Sequence, residues 1–113
     1  MHGATAEQMM VLTKVLIALS GDYNGFMLLS KHGTFLYVSE SDGCLSLEWV
    51  FDHMRIAVDI DRDLESSWSL SSDRKAGLYS EGGYIPEDQS LINLIAKRIY
   101  TILNEQCENL DNS

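Results

Sequence analysis

The chain has 113 residues, 45% of them hydrophobic, and its 17 acidic against 8 basic side chains give a formal charge of −9. That length suits one domain, residues 1–113, and the apolar content suffices for a core held by neither disulfides nor metal. The negative charge would be repelled by a duplex phosphate surface, which argues against direct nucleic-acid binding, whereas a basic protein partner would be drawn in by long-range attraction.

The first predicted element is a helix over Ala6 to Ser20. Thr5 and Gln8 have capping-box spacing, and Gly21 stands just past the end. Met9, Leu12, Leu16 and Leu19 make a stripe, which Met10, Val11, Val15 and Ile17 widen to nearly every side. A helix so apolar is buried on more than one face or pairs with another helix, so a homodimer seam is one expectation. The run from Met9 to Leu19 is interrupted by Thr13 and Lys14 and is too short to span a bilayer. It also lacks the basic flank of a signal peptide. Cys44 and Cys107 form no CxxC pattern, so two free thiols in a reducing, cytoplasmic setting are expected, with no membrane association.

Asp22 to Gly25 is a turn cluster, and Phe26 to Leu29 is an apolar run that periodicity leaves unassigned. Thr34 to Ser39 is a predicted strand followed by an Asp42-Gly43 turn. With those two residues as the turn, Val38 faces Leu47 and Leu36 faces Trp49 on the core side. Phe35 then lies opposite Val50, and Tyr37 opposite Glu48, on the other side. The next hairpin is the clearest feature of the chain. Folding at Asp52-His53 pairs Phe51 with Met54, Trp49 with Ile56, Leu47 with Val58 and Leu45 with Ile60, all apolar.

A further strand covers Ser66 to Leu70. A three-residue turn, Arg62 to Leu64, would set Trp68 opposite Val58 in the core. A two-residue turn would set it opposite Ala57 on the outer face. Burial is preferred, because Trp68 and Leu70 would complete the core layer. A fifth strand is predicted through Gly77 to Ser80, ended by Gly82-Gly83. Pro86 leads a last helix with Leu91, Leu94, Ile95, Ile99, Ile102 and Leu103 as its stripe, running to about Gln106. Residues 1–4 and 108–113 are expected to fray. The fold class is therefore α+β: an antiparallel meander of four or five strands, packed on one face by N- and C-terminal helices.

At Asp42-Gly43-Cys44-Leu45-Ser46-Leu47-Glu48-Trp49 the chain resembles a loose group of small bacterial proteins of unknown function. Their core is an Asp-Gly turn, an apolar strand ending in Glu-Trp and a β-hairpin. A Gly-rich stretch and a Pro-led helix follow, as Gly82, Gly83 and Pro86 do here. The resemblance covers residues 34–99 and is one of fold pattern. Where the group has Asp-Gly after the third strand, this chain has Arg62-Asp63. The resemblance implies a bacterial or phage origin and the sheet order, and it brings no catalytic residue.

Residues that could carry chemistry are few. Asp59, Asp61 and Asp63 alternate like a calcium loop, but Leu64 and Leu70 stand where that loop needs Gly and Glu. His2, His32 and His53 are scattered, with no metal-ligand spacing. Ser71-Ser72-Asp73 has no nucleophile elbow, and Gly82-Gly83 lacks the Lys of a phosphate loop. No enzyme activity, metal or cofactor is expected. The outer sheet face is the better candidate. Glu48 shares it with Phe35, Tyr37 and Val50, has Arg55 as diagonal neighbour, and has Asp59 and Asp61 at its rim. Exposed aromatics beside charges suit a binding patch. The expected function is a non-catalytic acidic protein-binding module of the inhibitor type: an antitoxin or immunity protein, or a phage-encoded blocker of a defence system. The alternative is a homodimer or assembly subunit, joined through the first helix or the outer sheet face.

Overall fold

The chain runs α1 (Ala6–Ser20), α2 (Tyr23–Ser30), β1 (Gly33–Val38), β2 (Leu45–Val50), β3 (Met54–Ile60), β4 (Ser66–Arg74), β5 (Gly77–Tyr84) and α3 (Gln89–Asp111). In this computed structural model the described residues are 3–31, 33–39, 42–50, 54–74 and 77–111. The strands form one antiparallel sheet in the order β1-β2-β3-β4-β5. Buried residues of all three helices join one core with the inward side chains of β2, β3 and β4. The fold is the α+β meander expected.

The β2–β3 ladder has the predicted register, with Leu45 opposite Ile60, Leu47 opposite Val58 and Trp49 opposite Ile56. All six are buried. The Phe51–Met54 pairing and the Asp52-His53 turn lie outside the described residues. Over this face, Val15, Leu19, Ile92 and Ile99 pack against Val58 and Trp68 with only about 10 Å³ of free space between them.

The first hairpin differs from the prediction by two residues. Leu36 lies opposite Leu47, Phe35 opposite Glu48, Tyr37 opposite Ser46 and Val38 opposite Leu45. Asp42-Gly43 is the second half of a longer loop closed by Ser39 N–H on the Cys44 carbonyl at 2.9 Å. Gly43 takes φ +71°, where other residues are strained, and the Asp42 carboxylate accepts from Cys44 N–H at 3.0 Å. A two-residue shift preserves the faces but not the neighbours. Leu36, expected in the core against Trp49, is instead opposite Leu47 and, on the edge strand beyond the helical cover, is 55% exposed.

The β3–β4 turn is the three-residue form. Leu64 N–H reaches the Asp61 carbonyl and Asp61 N–H the Glu65 carbonyl, both at 3.0 Å. Trp68 thus sits opposite Val58 and is buried. Leu64 occupies the left-handed position at φ 65°, where a Cβ is disfavoured. It lines a groove with Met10, Val11 and Pro86. Leu64→Gly is expected to raise stability by about 0.5–1 kcal/mol in urea denaturation. A lowered midpoint would mean that the apolar groove outweighs the backbone strain.

Gly82-Gly83 does not end the fifth strand; β5 continues to Tyr84, with Gly82 opposite Ser69 and Gly83 opposite Trp68. A Cβ on Gly82 would stand 2.5 Å from the Trp68 carbonyl oxygen, so Gly82 permits a close backbone approach. The inward-facing Glu81 is held by Arg98 of α3 through two contacts of 2.7 Å.

The helices also depart from the expected stripes. The Asp22 to Gly25 turn and the unassigned run after it form α2, started by the Asp22 carboxylate accepting from Gly25 N–H at 2.9 Å. In α3 the buried line is Ile92, Ala96, Ile99, Tyr100, Ile102 and Leu103, whereas Leu91 and Leu94 are exposed. Its cap is Asp88, accepting from Ser90 N–H at 2.8 Å, so Pro86 lies before the helix. The helix extends past Gln106 to Asp111. In α1 the capping box is present and Leu12, Val15, Ala18 and Leu19 are buried, but Met9, Met10 and Ile17 are exposed.

Candidate protein-binding face

Alternation along the strands sends one set of side chains away from the helices. They fall into cross-strand rows. Phe35, Glu48, Ala57, Ser69 and Gly82 form one; Tyr37, Ser46, Asp59, Ser67 and Tyr84 form the next. Among the described residues no helix lies across this face. Its rims are aromatic: Phe35 and Tyr37 on β1 are 54% and 45% exposed, and Tyr84 on β5 is 81% exposed. Over β4 and the middle of β3 the face is low, because Ala57, Ser67, Ser69 and Gly82 carry little or no side chain. At ordinary strand spacing the trough is about 19 Å wide.

Glu48 does not point freely into solvent as a recognition residue would. It is 8% exposed, shadowed by its neighbours, and its Oε1 accepts from the Tyr37 hydroxyl at 2.9 Å and from the Arg55 guanidinium. The hydrogen bond to Glu48 raises the Tyr37 hydroxyl above its ordinary pKa, with burial adding to it. The same carboxylate raises Arg55, chiefly through its hydrogen bond and then through its charge. The expected diagonal ion pair is thus present, with a tyrosine as third member. Its effect is positional: it fixes Tyr37 and Arg55 on the face, since a half-exposed pair adds little stability. Val50 is exposed beside Arg55, its cross-strand partner.

The row of Tyr37 and Tyr84, and the turn beyond it, is acidic. The Ser46 hydroxyl donates to the Asp59 carboxylate at 2.6 Å. Asp59, Asp61 and Glu65 line an open recess of about 190 Å³ with Cys44, Ser67 and Tyr84. Burial pushes the Cys44 thiol up, and the Asp59 charge adds to it, so at neutral pH it is held as thiol, a weak nucleophile. Among the described residues no three of His, Cys, Asp or Glu converge to hold a metal ion. His2, His32 and His53 lie outside the described residues. No described helix is long and apolar enough to cross a membrane.

The structure therefore brings Phe35, Tyr37, Glu48, Val50 and Arg55 together on one face, with Asp59 in the same row as Tyr37, beyond Ser46, and Asp61 just past the end of β3. Sequence reasoning missed Tyr84, Ser46 and Ser67. The signal for Tyr84 was there: period-2 alternation carried through Gly82-Gly83 puts it on this face. Comparison with protein-family models, with curated proteins and with solved structures finds no match.

Proposed function

We propose that the chain is a non-catalytic acidic module that binds another protein through the outer face of its sheet, acting as an inhibitor: an antitoxin, an immunity protein or a phage-encoded blocker of bacterial defence. One observation carries the reading. Among the described residues one sheet face has no element over it, and it combines aromatic rims with an acidic recess in a chain of charge −9. Aromatic anchors supply most of the energy in such interfaces, and charge at the margin sets the encounter rate. A trough of this width accommodates one helix, about 10 Å across, or a hairpin of a basic partner.

The test is binding kinetics against a partner recovered from the source cell. Tyr37→Ala should weaken the complex by about 2 kcal/mol or more while the urea midpoint stays near that of the parent. Asp59→Asn with Asp61→Asn should slow association at low salt, and the difference should shrink as salt rises. Normal binding by Tyr37→Ala, together with salt-independent association, would refute the reading.

A second reading, a homodimer seamed through α1, is favoured by Met10 and Ile17, which remain exposed one above the other on that helix.

A further inference from the structure

The two edges of the sheet are guarded very differently. On β5 the edge carries Gly82, Gly83 and the inward charge of Glu81, devices that discourage pairing with another strand. β1 has none of them. Its sequence, Gly33-Thr34-Phe35-Leu36-Tyr37-Val38, contains no charge and no proline, and its six-residue register with β2 runs without a bulge. Among the described residues no element pairs with its other side. It also exposes apolar side chains on both faces, Phe35 and Tyr37 on one and Leu36 on the other.

The direction of the backbone groups follows from the first hairpin. Ser39 N–H points at β2, on the Cys44 carbonyl. Successive residues of a strand aim their N–H and C=O groups to opposite sides, so those of Leu36 and Val38 point away from β2, toward the open edge.

We propose that β1 pairs antiparallel with β1 of a second copy of this chain, about a two-fold axis through Leu36, to make one continuous sheet of both molecules. In that register each Leu36 exchanges N–H···O=C bonds with Leu36 of the second copy. Phe35 lies opposite Tyr37 of the second copy on the outer face, and Thr34 opposite its Val38 on the helix side. Every pair keeps both members on the same face, and no charge meets another. The strand is self-complementary in shape and polarity, and its lack of charge makes it the surface on which a second copy meets least repulsion. Two chains of charge −9 repel each other over most of their surfaces, and this uncharged strand is where they can approach closely. A basic partner, by contrast, finds no charge on this edge to read. The two-fold is perpendicular to the sheet, so both helical layers stay on one side and the outer faces join. Phe35 and Tyr37 of both copies then meet at the middle of a doubled trough. The pairing is independent of the partner-binding reading and of the α1 seam.

Sedimentation equilibrium from low micromolar to a few hundred micromolar tests it, with folding of every variant checked by circular dichroism and thermal melting. The parent chain should show reversible association to twice its 12.7 kDa mass. Leu36→Pro removes the outward N–H while leaving the β1–β2 ladder intact, and Leu36→Lys guards the edge; each should weaken dimerisation by at least about tenfold. Ile17→Lys on α1 should leave the dimer unchanged. A parent that stays monomeric, open-ended oligomers, a dimer indifferent to both Leu36 variants, or one dissolved by Ile17→Lys would each overturn the proposal. Partner binding by a monomeric Leu36→Lys chain would leave the other reading standing by itself.

Discussion

Trp49→Ala is expected to lower the unfolding free energy by about 3–5 kcal/mol, the range for truncating a large aromatic in a core. Trp49 is 3% exposed, with Ile56 opposite on β3 and Thr34 opposite on β1. The core around it is closely packed, so the space left by the indole cannot be refilled without moving the helices. Urea denaturation gives the number directly. A loss under about 1 kcal/mol would mean that Trp49 is not buried by the helical layer and that the inward and outward faces of β2 are exchanged.

Gln8→Ala should cost nearly as much, about 2–4 kcal/mol, for a different reason. Gln8 has no exposed surface. Its Nε2 donates to the carbonyls of Gly43 and Ile60, each at 2.9 Å, and its Oε1 accepts from Thr5 N–H at 2.8 Å. One side chain thus completes the helix cap and fastens α1 to the ends of both central hairpin strands. Removing it strands two carbonyls away from water, and each lost partner carries a desolvation penalty. Gln8→Leu separates bonding from packing, since it restores volume but not the donors. Both variants should lose similar stability. If Gln8→Leu behaves like the parent in the same denaturation series, filled volume is what matters there and the hydrogen bonds add nothing.

How much of this was legible in the sequence varies by element. The β2–β3 register is readable over the three apolar pairs that the structure describes, because they agree on it and a slip of one would put Arg55 and Glu48 inside. Trp68 was readable for the same reason, although nothing advertised a leucine at the left-handed position of the turn. The β1–β2 register was misread by two residues. Asp-Gly is a two-residue hairpin signal, but here Gly43 closes a longer loop, and both readings give β1 the same inward and outward faces. That is why the outer-face residues Phe35, Tyr37, Glu48 and Val50 were named correctly while their partners, and the burial of Glu48, were not. Gly82-Gly83 reads as a breaker because glycine weakens strands; the close approach of Gly82 to the Trp68 carbonyl depends on a neighbour on another strand. Gln8 was concealed by its own motif. The capping box accounts for its Oε1 and says nothing of its Nε2, whose targets are 35 and 52 residues away.

The sequential strand order has a kinetic consequence. Each ladder joins neighbours in the chain, and the turns from Ser39 to Cys44 and from Asp61 to Glu65 close only short loops. Their entropic cost is small, so the meander can zip from the β2–β3 hairpin outward, one strand at a time. The docking of α1 against α3 is the opposite case: it joins segments separated by the whole sheet, as the Tyr100 hydroxyl on the Leu19 carbonyl does across 81 residues. That contact carries the larger loop-closure cost of the two. Until α1 and α3 dock, the inward side chains of β2, β3 and β4 have no cover, so the contact that takes longest to close in sequence is also the one that completes the core.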